Sequence, residues 1–148
     1  MTVLIRKPTQ ADFGAWKTLF AAYIKFYRAS IPDEIMSKTW ARIHDEQENI
    51  NGLVAEVDGQ LVGLTHFLYH DSTWSDRKSC YLQDLFVAKS ARGSGIARQL
   101  IIGVEAEAEA YNAFNLYLLT QQYNSAARSL YDSMLGATPF VVYRKKLP

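Results

Sequence analysis

The spacing of apolar residues changes period along the chain, and each change predicts an element. Thr2 to Arg6 reads as a short strand closed by Lys7-Pro8. Thr9 is placed to cap a following helix, and Asp12, three positions on, favours the helix N-terminus. Phe13, Trp16, Phe20, Tyr23 and Tyr27 recur at steps of three and four, which gives that helix an aromatic face. Pro32-Asp33 opens a second helix through about His44, with Ile35, Met36, Trp40 and Ile43 on one side. The pattern then becomes that of strands. Leu53 to Val57, a turn at Asp58-Gly59, and Leu61 to Thr65 predict a hairpin. A polar loop over Asp71 to Ser79 leads to a third run, Cys80 to Val87.

A glycine-rich elbow, Arg92-Gly93-Ser94-Gly95, follows that run. After it Ile96, Ala97, Leu100, Ile101, Val104, Ala108 and Tyr111 form a helical stripe. Phe114 to Leu119 is a near-continuous apolar strand, the pattern of a sheet interior covered on both faces. Asn124 starts another helix, with Ala127, Leu130, Tyr131, Met134 and Leu135 on its buried face, and Gly136 ends it. Phe140 to Tyr143 predicts a last strand, trailing into Arg144-Lys145-Lys146. The order is β, α, α, three strands, then α, β, α, β. It predicts one α/β domain over residues 1–148, built around a mixed sheet, with no repeat or linker.

Composition narrows the function without naming it. A chain that is 49% hydrophobic and 13% aromatic has enough apolar surface for a real core. Sixteen basic residues against fifteen acidic ones leave a net charge of +1, which argues against a nucleic-acid partner, since that needs a concentrated basic surface. The single Cys80 rules out an internal disulfide and offers no zinc set; a reducing, cytoplasmic compartment and a metal-free site are expected. MTVLIRKPTQ has no signal-peptide apolar core, and no apolar run approaches the ~20 residues of a membrane span.

Three phosphate-binding devices compete for the elbow. A Walker loop needs Lys followed by Ser or Thr after its last glycine, and neither is present. A dinucleotide fingerprint needs a small residue where Arg98 stands and a carboxylate about 20 residues on, where Tyr111-Asn112-Ala113 has none. The third device is Arg-x-x-Gly-x-Ala from Arg92 to Ala97, between a strand and a helix. There, consecutive backbone N–H groups can cradle a pyrophosphate, with Arg92 and Arg98 adding charge at the margin.

IRKPTQADF, the hairpin, YLQDLFV directly before ARGSGIA, NSAARSLYDSMLGA and the closing FVVYRKKL stand in one order along nearly the whole chain. In that order they resemble the GNAT acyltransferase superfamily, which moves acetyl groups from acetyl-CoA to amines, and most of all its polyamine and small-amine branch. The resemblance implies a mostly antiparallel mixed sheet, splayed at the strand before the Arg-x-x-Gly-x-Ala loop, with helices on both faces. It also implies direct attack of a primary amine on acetyl-CoA in a ternary complex, and a homodimer. The backbone of Leu85, Phe86 and Val87 would pair with the pantetheine arm. The pyrophosphate would rest on the amides of Gly93, Ser94, Gly95, Ile96, Ala97 and Arg98, beside Arg92. Asn124 would bond the pantetheine, with Ser125 and Ala127 lining that end, and Tyr131 would stand near the thioester sulfur. Asn124 and Tyr131 are seven residues apart, about two helical turns, so both fall on one face.

The same resemblance exposes a departure. The branch has Glu where this chain has Gln83, and an amide takes no proton near neutral pH. Asp84 remains acidic, but unbroken strand alternation points it away from Gln83. Glu34, His66, His70 or a water chain are the other candidates for the base. For the acceptor amine, Phe26, Tyr27, Trp74, Gln83 and Asp84 are expected, with Tyr117 to Leu119 as cleft floor. Tyr27 and Trp74 are candidates to box an alkylammonium, and Arg28 to pair with a carboxylate. Two other readings stay open: an acyl-CoA-binding sensor without turnover, and a nucleotide-binding module.

Overall fold

In the computed structural model, which describes residues 2–148, strand β1 (Val3–Arg6) leads into helices α1 (Phe13–Phe26) and α2 (Asp33–Ile43). Strands β2 (Asn51–Val57), β3 (Gln60–Ser72) and β4 (Ser75–Val87) follow, then helix α3 (Ile96–Ala110), strand β5 (Asn115–Leu118) and helix α4 (Ser125–Met134). The strands lie in the order β1-β2-β3-β4-β5. The first three pairs are antiparallel and β4–β5 is parallel, joined by the α3 crossover.

The entry to α1 behaves as its residues predict. The Asp12 carboxylate accepts from the Thr9 N–H at 2.7 Å, and a single 3-10 turn precedes the helix. Arg6 donates to both Asp12 (2.7 Å) and Glu56 (2.8 Å), tying β1, the turn and β2 together. The bond from Arg6 is the main force holding the Asp12 carboxyl down at about 2.

Strand alternation divides the core between the two sheet faces. Leu53 and Ala55 of β2 point to one side, where Phe67, Cys80, Leu82 and Val87 meet Ile96, Leu100, Ile101 and Val104 of α3. Val54, between them, points to the other, where Leu64 meets Trp16, Leu19 and Phe20 of α1 and Met36 and Trp40 of α2. The aromatic face of α1 is thus a core: the Trp16 and Trp40 ring centroids are 4.9 Å apart and Trp16 is 1% exposed.

Several expectations change. The polar stretch 71–79 is no loop; β3 and β4 run on into a tight turn at Thr73-Trp74. The hairpin end is solvent-facing, so polar residues serve there, and Lys78 bonds Asp71 across it at 2.6 Å. β5 is the edge of the sheet and not its interior. Leu116 and Leu118 reach the core, while Leu119, just past the strand, stays 47% exposed. Leu130, Tyr131 and Met134 of α4 pack on the α3-side core, but none is fully buried. Phe140 to Tyr143 forms no strand. These residues find no ladder partner and remain 58–92% exposed, because strand propensity is realised only by pairing.

Candidate active site

The elbow is a backbone device. Gly93 and Gly95 hold φ of +84° and +78°, a left-handed conformation that side chains disfavour. A Cβ built on either glycine meets nothing within 4 Å, so conformation, rather than crowding, demands glycine, and the space above is open. Gly95 caps α3, whose first turn closes with the Gln99 N–H to the Gly95 carbonyl at 3.1 Å. The amides just before Gln99 therefore have no intrahelical acceptor and face outward with the positive helix end, a fit for a pyrophosphate. Arg92 folds back onto β4: its Nε donates to the Val87 carbonyl at 2.9 Å and its guanidinium lies 5.5 Å from the Phe86 ring centre. Arg98 donates to Ser133 Oγ at 2.8 Å and so ties α3 to α4.

Upstream of the elbow the sheet splits. The β4–β5 ladder runs from Ser79↔Asn115 to Leu82↔Leu118 and stops, while β3 stays paired with β4 as far as Gly63↔Val87. Beyond Leu82, then, the β5 side of β4 is an open edge at Leu85, Phe86 and Val87, able to bond an extended chain.

A bulge sits at this fork. His66 opposes Asp84 and Phe67 opposes Leu82, which leaves Gln83 as the extra residue. Leu82 and Leu85 consequently face the same α3-side core, although they are three positions apart. Alternation thus fails across Gln83-Asp84, and the unbroken register on which Asp84 was expected to point away from Gln83 does not exist. The Asp84 side chain lies on the α1 side, 18% exposed, where its Oδ2 meets His66 Nδ1 at 2.9 Å.

His66 is not a free base. The indole N–H of Trp16, which can only donate, bonds His66 Nε2 at 2.9 Å. The ring proton is therefore on Nδ1 and is donated to Asp84, so the buried imidazole is neutral with both nitrogens engaged. Glu34 is paired with Lys38 (3.1 Å) at the exposed start of α2. His70 is exposed; its Nδ1 donates to the Asp71 carbonyl and its Nε2 accepts from the Tyr117 hydroxyl, both at 2.8 Å.

Around Asp84 stands a group of tyrosines. Burial first, then the nearby Asp84 charge, raises the Tyr23 hydroxyl, with Tyr27 and Tyr131 adding to the effect. The Tyr23 and Tyr27 rings are 5.0 Å apart. Tyr131 is pushed up to about 12 by burial, with Tyr27 again a neighbour. The structure thus gathers Tyr131, Tyr27 and Asp84 from three elements. Asn124 caps α4, its side chain accepting from the Ala127 N–H at 3.4 Å, so Asn124, Ser125 and Ala127 form the head of the Tyr131 helix.

The acceptor candidates divide. Phe26, Tyr27 and Arg28 end α1 and face Gln121 and Tyr123 across a cleft of about 310 Å³. Tyr117 stacks on Tyr81 at 4.9 Å, and Leu119 continues that edge. Trp74 is elsewhere. It tips the β3–β4 hairpin, 91% exposed and ten positions before Asp84, roughly 33 Å of strand. It forms no box with Tyr27 of its own chain. A larger cleft of about 710 Å³, lined by the loop after α2, contains none of the expected site residues. Tyr23, Tyr81, Gln121 and Tyr123 were missed from sequence; Tyr23 carries the spacing of the core stripe, which hides it.

Among the described residues no helix is long and apolar enough to cross a membrane, and no cluster of three or more His, Cys, Asp or Glu is placed to hold a metal.

The chain matches the acetyltransferase (GNAT) family over residues 16–137. A D-amino-acid N-acetyltransferase of Saccharomyces cerevisiae, HPA3, is 29% identical over 145 residues, spanning 97% of this chain and 90% of its own. An uncharacterised N-acetyltransferase of Bacillus subtilis, YhfO, is 33% identical over 129 residues, 86% of this chain and 85% of its own. The structure of AAC(6')-Iy with the bisubstrate analogue CoA-S-monomethyl-acetylneamine shares the fold at a TM-score of 0.84 over 100% of both chains, with 18% identity. With an elbow of free amides, a forked sheet and this match over most of its length, the chain belongs to the GNAT acetyltransferase family and is an acetyl-CoA-dependent acyltransferase.

Proposed function

We propose that the chain, acting as one domain, moves the acetyl group of acetyl-CoA to the primary amine of a small acceptor by direct attack in a ternary complex. The observation that carries this reading is the open β4 edge at Leu85 to Val87, where β5 no longer pairs, followed after one 3-10 turn by the elbow amides at the start of α3. The pantetheine lies along that edge, the pyrophosphate rests on Gly93 to Arg98, and Asn124 with Ser125 and Ala127 closes the other side. The acetyl group then arrives at the fork between Tyr131 and Asp84.

Two costs frame the chemistry. An alkylammonium of pKa ~10.4 is only ~0.04% neutral at pH 7, roughly 4.6 kcal/mol against the barrier. The leaving thiolate has an ordinary pKa of ~8.5, and Tyr131 at about 12 would give up its proton to it at a cost of about 5 kcal/mol. Tyr131 therefore acts chiefly by hydrogen bonding to the departing sulfur.

An amino acid suits the acceptor cleft better than a polyamine. Gln83 carries no charge to hold a polycation, and Arg28 sets a cation in the cleft wall, where a carboxylate pairs with it. The D-amino-acid activity named for the yeast relative supports the same class. A lysine-type side chain or a simple amine is the other outcome of the test. The exposed Phe140 to Tyr143 and the open edge of β5 support a homodimer, and the single, buried Cys80 thiol fits a reducing cytoplasm.

The test is thiol release from acetyl-CoA with separate pools of D-amino acids, L-amino acids, polyamines and a lysine-rich peptide. Turnover with an amino acid pool, with the acetylated product identified by mass, is expected. Tight acetyl-CoA binding with no turnover in any pool contradicts the reading.

A further inference from the structure

We propose that Asp84 is the proton acceptor for the incoming amine, held in place by a Trp16–His66–Asp84 hydrogen-bond chain, and so fills the role that Gln83 cannot. The inference rests on the acetyl-transfer reading of this same site.

The geometry assigns each part. The bulge at Gln83 turns Asp84 to the α1 side of the sheet, directly before the open edge that begins at Leu85. Its backbone is fixed there as well, since the buried Thr65 hydroxyl donates to the Asp84 carbonyl at 2.7 Å. Trp16 donates to His66 Nε2, which leaves the ring proton on Nδ1, and that proton goes to Asp84 Oδ2 (both 2.9 Å). Trp16 and His66 are buried at 1% and 4% exposure, so packing locks the imidazole in one tautomer. The Tyr23 hydroxyl also hydrogen-bonds the carboxylate, which keeps further acceptor lone pairs at its partly exposed edge. The groups around Asp84 are His66 from β3, Tyr23 from α1 and Tyr81 from its own strand, with Tyr27 and Tyr131 beyond Tyr23. Among the described residues Asp84 makes no ion pair with Lys or Arg. The carboxylate is thus oriented by hydrogen bonds and paired with no Lys or Arg, as a proton acceptor needs to be.

The step balances as follows. The ammonium, R–NH3+, gives one proton to the Asp84 carboxylate, forming a carboxylic acid and a neutral amine. The nitrogen lone pair forms the C–N bond to the acetyl carbon, and the C–S bond breaks with its electron pair going to sulfur. The nitrogen loses a second proton, which ends on the sulfur with Tyr131 hydrogen-bonded there. Asp84 returns its proton to solvent, so the sum is amide, free thiol and one released proton. His66 neither gains nor loses a proton; it is a positioning residue.

The experiment compares two acceptors of similar shape at saturating acetyl-CoA and pH 7. One is a primary amine of pKa near 10, and the other is an electron-poor amine of pKa near 6 that is already neutral. Asp84→Asn keeps an oxygen to accept from His66. It is expected to lower kcat for the basic amine by about 100-fold, and for the neutral amine by less than threefold. The loss with the basic amine should shrink as pH approaches 10. Trp16→Phe keeps a six-membered aromatic ring but removes the indole N–H and so frees His66 Nε2; an approximately tenfold fall, again confined to the basic amine, is expected with the KM for acetyl-CoA unchanged. Equal losses with both amines, an effect confined to KM, or no loss would each overturn the proposal. Wild-type protein that acetylates neither amine would instead overturn the acetyl-transfer reading, and this inference with it.

Discussion

The two ends of the cleft are built from different material. At the elbow, the groups proposed to face the phosphates are backbone amides, and the sequence is constrained only where their conformation needs glycine, at φ +84° and +78°. At the acceptor end, the groups are side chains drawn from α1, β3, β4, β5 and α4, and the backbone beneath them is ordinary except at the bulge. A backbone site leaves a short contiguous signature; a side-chain site leaves scattered tyrosines that look like core. In the proposed reading the first end holds the acetyl-CoA common to the family, and the second end selects the acceptor.

The largest expected effect crosses both ends. Tyr131→Phe removes the hydroxyl proposed to meet the leaving sulfur and should lower kcat about 100-fold with both KM values within threefold, as measured by steady-state thiol release. Because burial holds that phenol protonated up to about 12, wild-type kcat should show no falling limb from Tyr131 below about pH 11. A falling limb near pH 8 that vanishes in the Phe variant would mean that Tyr131 is needed protonated and is a far stronger acid than its burial implies.

Gly95→Val tests the elbow alone. A β-branched residue at φ +78° costs at least ~1–2 kcal/mol of strain, and relaxing it swings the amides away from the phosphates. The KM for acetyl-CoA should rise about 30-fold while the acceptor KM stays put. Arg28→Ala tests the other end in the reverse sense. About a tenfold rise in KM is expected for an acceptor bearing a carboxylate and little change for the matching amide, with acetyl-CoA unaffected. The smallest effect belongs to Trp74→Ala. A tip residue that far from Asp84 should leave both KM values and kcat within twofold, and a larger change would show that the hairpin reaches an active site.

What was legible in the sequence follows the same division. The helix stripes and the elbow could be read because periodicity and obligatory glycines write themselves into adjacent positions, whereas the fork in the sheet was implied only by the family resemblance. The β3–β4 hairpin was hidden because its projecting end is polar on both faces, as a loop is. The Gln83 bulge was hidden because alternation assumes an unbroken register, and one extra residue inverts every inference past it. Tyr23 was hidden inside the core stripe of α1, and only the fold shows that its hydroxyl end reaches Asp84. Phe140 to Tyr143 has the composition of a strand, but pairing needs a partner that the sequence of one chain does not specify.

The central claim, that the elbow amides hold the pyrophosphate of acetyl-CoA, is tested most directly by calorimetric titration of two ligands. One is acetyl-CoA, and the other is S-acetyl-4'-phosphopantetheine, which keeps the arm and thioester but lacks the second phosphate and nucleoside. A second titration pair uses Gly95→Val. The expected result is at least tenfold tighter binding of acetyl-CoA by the wild type, about 1.4 kcal/mol or more, with most of that margin lost in the variant. Equal binding of the two ligands, or a margin that survives Gly95→Val, would place the pyrophosphate somewhere other than the elbow.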